Sequence, residues 1–222
     1  MKFKLLIAMV ATLLLATGCQ GQNKQEVKPA RPQGATLNTD EINQISEKSK
    51  KSNAMNKIVI FFSHAGDNYS VGNIEVGNTK IVADYISEIT GAAQYEIVTH
   101  KYDGMAYTPL IKLAQDEANR GELPPYEGAA PDLSQYDTVF IGGPVWWGTY
   151  PQVMFTLFRD IDLAGKTVIP FTTHEGSGLA SCVSDVKRAF PKATVTGAFS
   201  IYGHEVRTGK AKVEKWIKSV VK

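Results

Sequence analysis

Between residues 57 and 222 the apolar positions fall into two alternating patterns. Residues 57–63 (Lys-Ile-Val-Ile-Phe-Phe-Ser) form a short continuous run with β-branched and aromatic side chains. Such runs suit a strand buried on both faces. Residues 94–99, 137–142, 166–173 and 194–202 are four further strand candidates. Between them, apolar positions recur at helical spacing. Ile81, Val82, Tyr85, Ile86 and Ile89 predict a helix over 79–90, and a second is expected over 109–120. Residues 151–158 open with a proline suited to a first helical turn. Residues 178–190 place Leu179, Val183, Val186 and Phe190 on one helical face, and 209–221 close the chain as a final helix. Strands alternating with helices predict an α/β domain, a parallel sheet covered on both faces. In such sheets the ligand lies beyond the C-terminal ends of the strands, near the switch point. The loops after the first, third and fourth strands are therefore the candidate site.

The first 56 residues follow another pattern. Lys2 and Lys4 precede an uninterrupted run of twelve apolar or small residues, 5–16. That is short of the roughly 20 needed to span a bilayer and reads as a secretory signal. The run ends Leu15-Ala16-Thr17-Gly18-Cys19, which resembles the bacterial lipoprotein box. The resemblance implies cleavage before Cys19 and lipidation of Cys19; a plain signal peptide with a chance cysteine is the alternative. By resemblance to the Gram-negative sorting pattern, in which Asp after the cysteine favours the inner membrane, Gln20 implies an outer-membrane/periplasmic or outer-surface location. Residues 20–56 are rich in Gln, Asn, Lys, Ser and Pro. They cannot bury enough apolar surface to offset the entropy of ordering, so they read as a tether. The expected organisation is a signal peptide over 1–18, a lipidated tether over 19–56 and one folded domain over 57–222.

Composition narrows the function. The chain has 222 residues, 43% hydrophobic and 21% charged, with 24 basic and 22 acidic side chains. The apolar fraction excludes a disordered chain. The near-balanced charge excludes a dedicated nucleic-acid binder. Two cysteines exclude a disulfide framework or a four-thiolate metal site. Cys182, alone in the folded domain, is expected to lie buried on a helix face. Residues 57–222 hold 16 basic and 18 acidic side chains, a mildly acidic head on a mildly basic tether.

Three loops carry the candidate chemistry. The first ends Gly77-Asn78-Thr79 where a helix begins. It is a natural phosphate site, or an ordinary helix cap. It lacks the Walker and dinucleotide fingerprints. The second is Gly142-Gly143-Pro144-Val145-Trp146-Trp147-Gly148-Thr149-Tyr150. Two tryptophans between glycines at a strand end suggest a platform for a flat ring or a partner protein, or else a packing cluster. The third is Thr172-Thr173-His174-Glu175-Gly176-Ser177-Gly178, whose small residues let backbone approach a ligand. His174 alone would read as an ordinary loop residue. No nucleophile–base pair is visible, because Gly-x-Ser-x-Gly does not occur.

Taken together, these loops resemble the flavodoxin-like family, in its bacterial branch with a Ser-(long loop)-Gly-Asn-Thr segment and a Gly-Pro-Val/Ile-Trp-Trp-Gly segment. The resemblance runs over 57–222. It implies a three-layer sandwich with a five-stranded parallel sheet of order 2-1-3-4-5 and one non-covalently bound FMN. It places the FMN phosphate at Ser63, Asn78 and Thr79, with a backbone contribution from His64. Pro144, Val145, Trp146, Trp147 and Gly148 would line the ribityl chain and ring. Thr173, His174, Glu175, Gly176, Ser177 and Gly178 would close the other side, and Glu175, if close, would lower the flavin potential. No catalytic side chain and no metal are implied. Residues 66–76 stand as an insertion in the phosphate loop, expected over or beside the phosphate or as a plain surface loop. Ala65 stands where the short form has a hydroxyl residue.

The functions expected are a membrane-tethered FMN electron carrier, an NAD(P)H-dependent FMN reductase of quinones, flavins or nitro compounds, or a cofactor-free binder of another aromatic ligand. The partners expected are redox proteins or quinone-like small molecules, together with the membrane.

Overall fold

The structure is a computed structural model and describes residues 56–221. The segments expected as a signal peptide and a lipidated tether, with Cys19, lie outside the described residues apart from residue 56. In chain order the elements are β1 (Lys57–Phe61), β2 (Gly66–Asn68), β3 (Gly72–Ile74), α1 (Asn78–Thr90), β4 (Ala93–Glu96), α2 (Tyr107–Arg120), β5 (Thr138–Pro144), α3 (Gln152–Asp160), β6 (Thr167–His174), α4 (Cys182–Ala189), β7 (Thr194–Val195), β8 (Phe199–Tyr202), a 3₁₀ helix (Gly203–Thr208) and α5 (Lys210–Val220).

The main sheet is parallel, in the order β4-β1-β5-β6-β7, with β8 also pairing with β6. Its order is the expected 2-1-3-4-5. Alternate strand residues face opposite sides, and both sides are apolar. Ile58 and Ile60 of β1, Val139 and Ile141 of β5 and Val168 of β6 meet Leu110, Met154, Leu157 and Val186 of α2, α3 and α4. Val59, Phe61, Phe140, Ile169 and Phe171 meet Val82, Ile86, Val213 and Ile217 of α1 and α5. This two-sided burial explains the unbroken apolar runs. β1 lies between β4 and β5, so the chain reverses direction across the sheet there. A crevice opens at that point, beyond the C-terminal ends of β1 and β5.

Three elements differ from expectation. The strand expected over 194–202 is split into β7 and β8. Gly197 between them has φ +63°, and a Cβ there would lie 2.7 Å from Val220 Cγ1. The Trp216 indole N–H donates to the Gly197 carbonyl at 2.6 Å, which pins the break. The helix expected from 178 begins only at Cys182, because Gly178 and Ala180 have φ +60° and +43°. The segment expected as a loop over 66–76 holds the antiparallel β2–β3 hairpin.

Cys182 carries a free, fully buried thiol that burial pushes up to about 12. It should not react with a thiol reagent at pH 8 in the folded protein and should react fully on unfolding. A colorimetric thiol assay with and without denaturant checks this.

Candidate functional site

The crevice holds a cavity of ≈ 330 Å³ bordered by all three expected loops. Its first wall is the N-terminus of α1. No acidic residue stands in the first turn, and the N-cap Gly77 makes no side-chain cap. Ser63, at the end of β1, replaces that cap: its Oγ accepts the Lys80 N–H at 3.0 Å. A Cβ at Gly77 would lie 2.2 Å from Ser63 Oγ and 2.6 Å from the His64 carbonyl oxygen, so only glycine lets helix and strand end meet. The N–H groups of Asn78 and Thr79 have no acceptor within the helix and form its positive end. Thr79 and Thr173 share a hydroxyl–hydroxyl hydrogen bond of 2.8 Å, tying α1 to the end of β6. The Arg207 guanidinium donates to Asn78 Oδ1 at 3.2 Å from the outer side.

The tryptophan loop is a tight turn. Trp146 N donates to Thr149 O at 2.9 Å and Thr149 N to Trp146 O at 3.2 Å. Trp147 and Gly148 between them have φ +52° and +81°, the pairing of a type I′ turn. The turn is anchored to α4. The Ser181 N–H donates to Gly148 O at 2.9 Å, and buried Asp185 accepts from Thr149 Oγ1 at 2.5 Å and Ser181 Oγ at 2.6 Å. The two tryptophans therefore have different environments. Trp146 is half-buried and meets Phe62, His64 and Tyr102 edge-to-face at 5.1–5.8 Å. Trp147 stands at the rim, 53% exposed, with its indole N–H on the Ile111 carbonyl of α2 at 2.8 Å.

The third loop closes the opposite side. His174 Nδ1 accepts the Gly176 N–H at 3.0 Å, which leaves the proton of the neutral ring on Nε2. Its ring lies 4.5 Å from the Tyr202 ring. Glu175 accepts the His204 N–H at 2.8 Å and pairs with His204 Nδ1 at 2.7 Å, so a positive partner stands beside its charge when His204 is protonated.

Of the expected site residues, His64, Asn78, Thr79, Pro144, Val145, Trp146, Trp147, Thr173, His174, Glu175 and Ser177 border the cavity. Ser63, Gly148, Gly176 and Gly178 do not; they cap α1 or shape the two loops. The 66–76 segment, expected over or beside the phosphate or as a plain surface loop, contributes Asp67, Asn68, Tyr69 and Val71 to the lining; sequence reasoning missed the face of α2 from Tyr107 to Ala114, and Gly203. The α2 face was legible as the apolar spacing of Leu110, Ile111 and Ala114. Gly203 carried no local signal. A Cβ there would lie 2.4 Å from Asn78 Nδ2 and 2.8 Å from Glu175 Oε1. Among the described residues no group of three His, Cys, Asp or Glu side chains could hold a metal ion, and no helix is long and apolar enough to cross a membrane.

Burial holds the His64 imidazole below its usual 6.5, against the opposing pull of Asp103 and Asp67. Burial also lowers His174, against Glu175 and Glu205. A lowered imidazole binds fewer protons in the folded chain than in the unfolded one. Its stability contribution is full above pH 6.5 and is lost as pH falls through the folded value. Tm should therefore fall between pH 7 and pH 5, and His64→Phe should flatten that fall, as followed by circular dichroism.

A doubly covered parallel sheet with its cavity at this switch point defines the flavodoxin-like class of α/β proteins. The chain belongs to the flavodoxin family: the family model described as Flavodoxin matches residues 69–220. The match starts at the tip of the hairpin. Among solved structures the chain is similar to a putative flavoprotein from Bacteroides uniformis, at 25% identity and TM-score 0.56, over 75% of this chain and 99% of that one. It is similar to a putative flavoprotein from Bacteroides eggerthii at 22% identity and TM-score 0.55, over 75% and 98%. A flavoprotein in complex with FMN from Lactobacillus acidophilus is 22% identical with TM-score 0.54, over 73% and 99%. No curated protein matches the sequence.

Proposed function

We propose that this protein is an exported, membrane-tethered FMN redox protein that carries electrons through non-covalently bound FMN. The observation that carries the reading is the convergence of a bare helix N-terminus, an aromatic turn and a small-residue loop on one cavity. The residues fit the cofactor. Asn78 and Thr79 offer N–H groups for a phosphate, and His64 Nε2 is buried with no hydrogen-bond partner.

FMN, when bound, supplies the electron acceptance and release. The chain binds, orients and shields it. The first turn of α1 would hold the phosphate on its free N–H groups, and the Thr79–Thr173 bond fixes that turn against β6. Trp146, held by its three aromatic neighbours, presents a rigid wall. Glu175 places a carboxylate beside the cavity, held in place by the His204 N–H and imidazole.

The carrier reading is favoured over an NAD(P)H-dependent reductase by the charge of the lining. Among the described residues, Asp67 and Glu175 border the cavity and no lysine or arginine does. A dinucleotide would bring two more phosphate groups into that setting. By the lipoprotein reading, Cys19 anchors the chain, and the roughly 37-residue tether reaches on the order of 30–35 Å. That reach suits redox proteins or quinone-like molecules near the membrane surface. The purified, FMN-loaded chain should exchange single electrons with an artificial donor and should not oxidise NADPH in steady state. Sustained NADPH turnover would favour the reductase instead. Cys19→Ser should move the protein from the membrane to the soluble exported fraction.

A further inference from the structure

Among the described residues two buried side-chain polar atoms lack a hydrogen-bond partner, Glu117 Oε1 and His64 Nε2. Glu117 Oε1 is compensated by the Lys101 ammonium at 2.8 Å. His64 Nε2 has no such neighbour, although the residue is only 8% exposed. An orphaned buried donor or acceptor is costly, and native structures rarely keep one without a use.

The orphan borders the cavity. The imidazole meets Trp146 edge-to-face at 5.8 Å, so it belongs to the tryptophan wall. The β2–β3 hairpin seals its other side. Gly66 has φ +96°, and even a Cβ there would approach no closer than 3.8 Å to Nε2. Asn68 Nδ2 donates to the His64 and Gly66 carbonyls at 3.3 and 3.0 Å, folding the hairpin back on His64. Asp67 Oδ2 accepts the Tyr107 N–H at 2.8 Å, and Tyr69 stacks on Tyr107 at 5.8 Å. The hairpin is thus fastened to the start of α2, and the imidazole lies between hairpin and tryptophan. The carboxylates acting on it are Asp67 of the hairpin and Asp103 of the segment before α2. Neither accepts a hydrogen bond from Nε2.

We propose that His64 is a cofactor-contacting residue: its Nε2 hydrogen-bonds the ring system of the bound flavin at the tryptophan wall, and the β2–β3 hairpin keeps that contact dry. This rests on the FMN reading above and extends it, because the resemblance assigned only the His64 backbone, and to the phosphate. A neutral imidazole serves a ring atom as donor or acceptor, while the phosphate has its own partners at Asn78 and Thr79.

The test compares FMN with riboflavin, which keeps the ring and lacks the phosphate. His64→Phe keeps a flat ring against Trp146 and removes both nitrogens; His64→Gln keeps a hydrogen-bonding group. Dissociation constants come from quenching of flavin fluorescence by the purified chain. His64→Phe should weaken FMN and riboflavin by the same factor, about tenfold, and His64→Gln should recover most of it. Weakening of FMN alone would move the contact to the phosphate and overturn the proposal. Affinities within twofold of wild type for both ligands would overturn it too. Should His64→Phe fail to fold, the wild-type chain decides: the ¹⁵N resonance of His64 Nε2 should shift on adding riboflavin, and an unmoved resonance overturns the contact. A wild-type chain that binds neither flavin overturns the FMN reading itself, a result distinct from the others.

Discussion

Gly142→Ala lowers the stability of the folded domain by about 3 kcal/mol, at the upper end of what overpacking a core costs. Gly142 lies within β5, paired with Phe61 of β1 and Phe171 of β6. A Cβ there would lie 1.9 Å from Phe171 Cζ, inside the ring. Phe171 is fully buried and packs on Trp216 at 6.4 Å, so it has nowhere to retreat. The strand lies in the middle of the sheet and cannot move out without breaking both ladders. For a domain of this size the loss corresponds to a fall in Tm of about 6–12 °C. Thermal unfolding followed by circular dichroism checks it, and an unchanged Tm would mean that β5 and β6 do not pack as described.

Trp146→Ala and Trp147→Ala should separate sharply. Trp146→Ala removes the shared partner of Phe62, His64 and Tyr102 and one wall of the cavity. Large-to-small changes at buried aromatics cost about 3–5 kcal/mol, and a half-buried one should cost less, about 2–3 kcal/mol. Stacking a flat ring on an aromatic side chain contributes about 1–3 kcal/mol, so FMN affinity should fall about 5- to 150-fold as well. Trp147 is 53% exposed and holds one hydrogen bond to α2. Its loss should change stability by no more than about 0.5 kcal/mol, with any effect confined to flavin affinity. Chemical denaturation and flavin-fluorescence titration of both variants read the two quantities independently.

The sequence treats these tryptophans alike; in the fold they differ in backbone φ, burial and partners. The strands show where a local pattern suffices. β1, β5 and β6 are buried on both faces, so their apolar runs state both existence and place. β2 and β3 carry Gly-Asp-Asn and Gly-Asn-Ile, with Ile74 their one buried side chain. A hairpin held by Asp67 and Tyr69 on α2 leaves no alternation to read. The 3₁₀ helix over Gly203–Thr208 lacks a 3.6-residue period, and its role depends on Gly203 meeting Asn78 and Glu175 across the fold. The break at Gly197 depends likewise on Val220. The three loops that border the cavity were legible because their glycines and aromatics are unusual at strand ends. The burial of His64 was not, since residues from a hairpin and a distant turn create it.

The claim that the β1–β5–β6 crevice holds FMN is tested most directly by titrating the flavin-free chain with FMN and following flavin fluorescence. The account predicts quenching that saturates at one FMN per chain, with a protein-bound flavin absorbance spectrum that survives gel filtration. A chain that leaves FMN fluorescence unchanged and emerges colourless would contradict it.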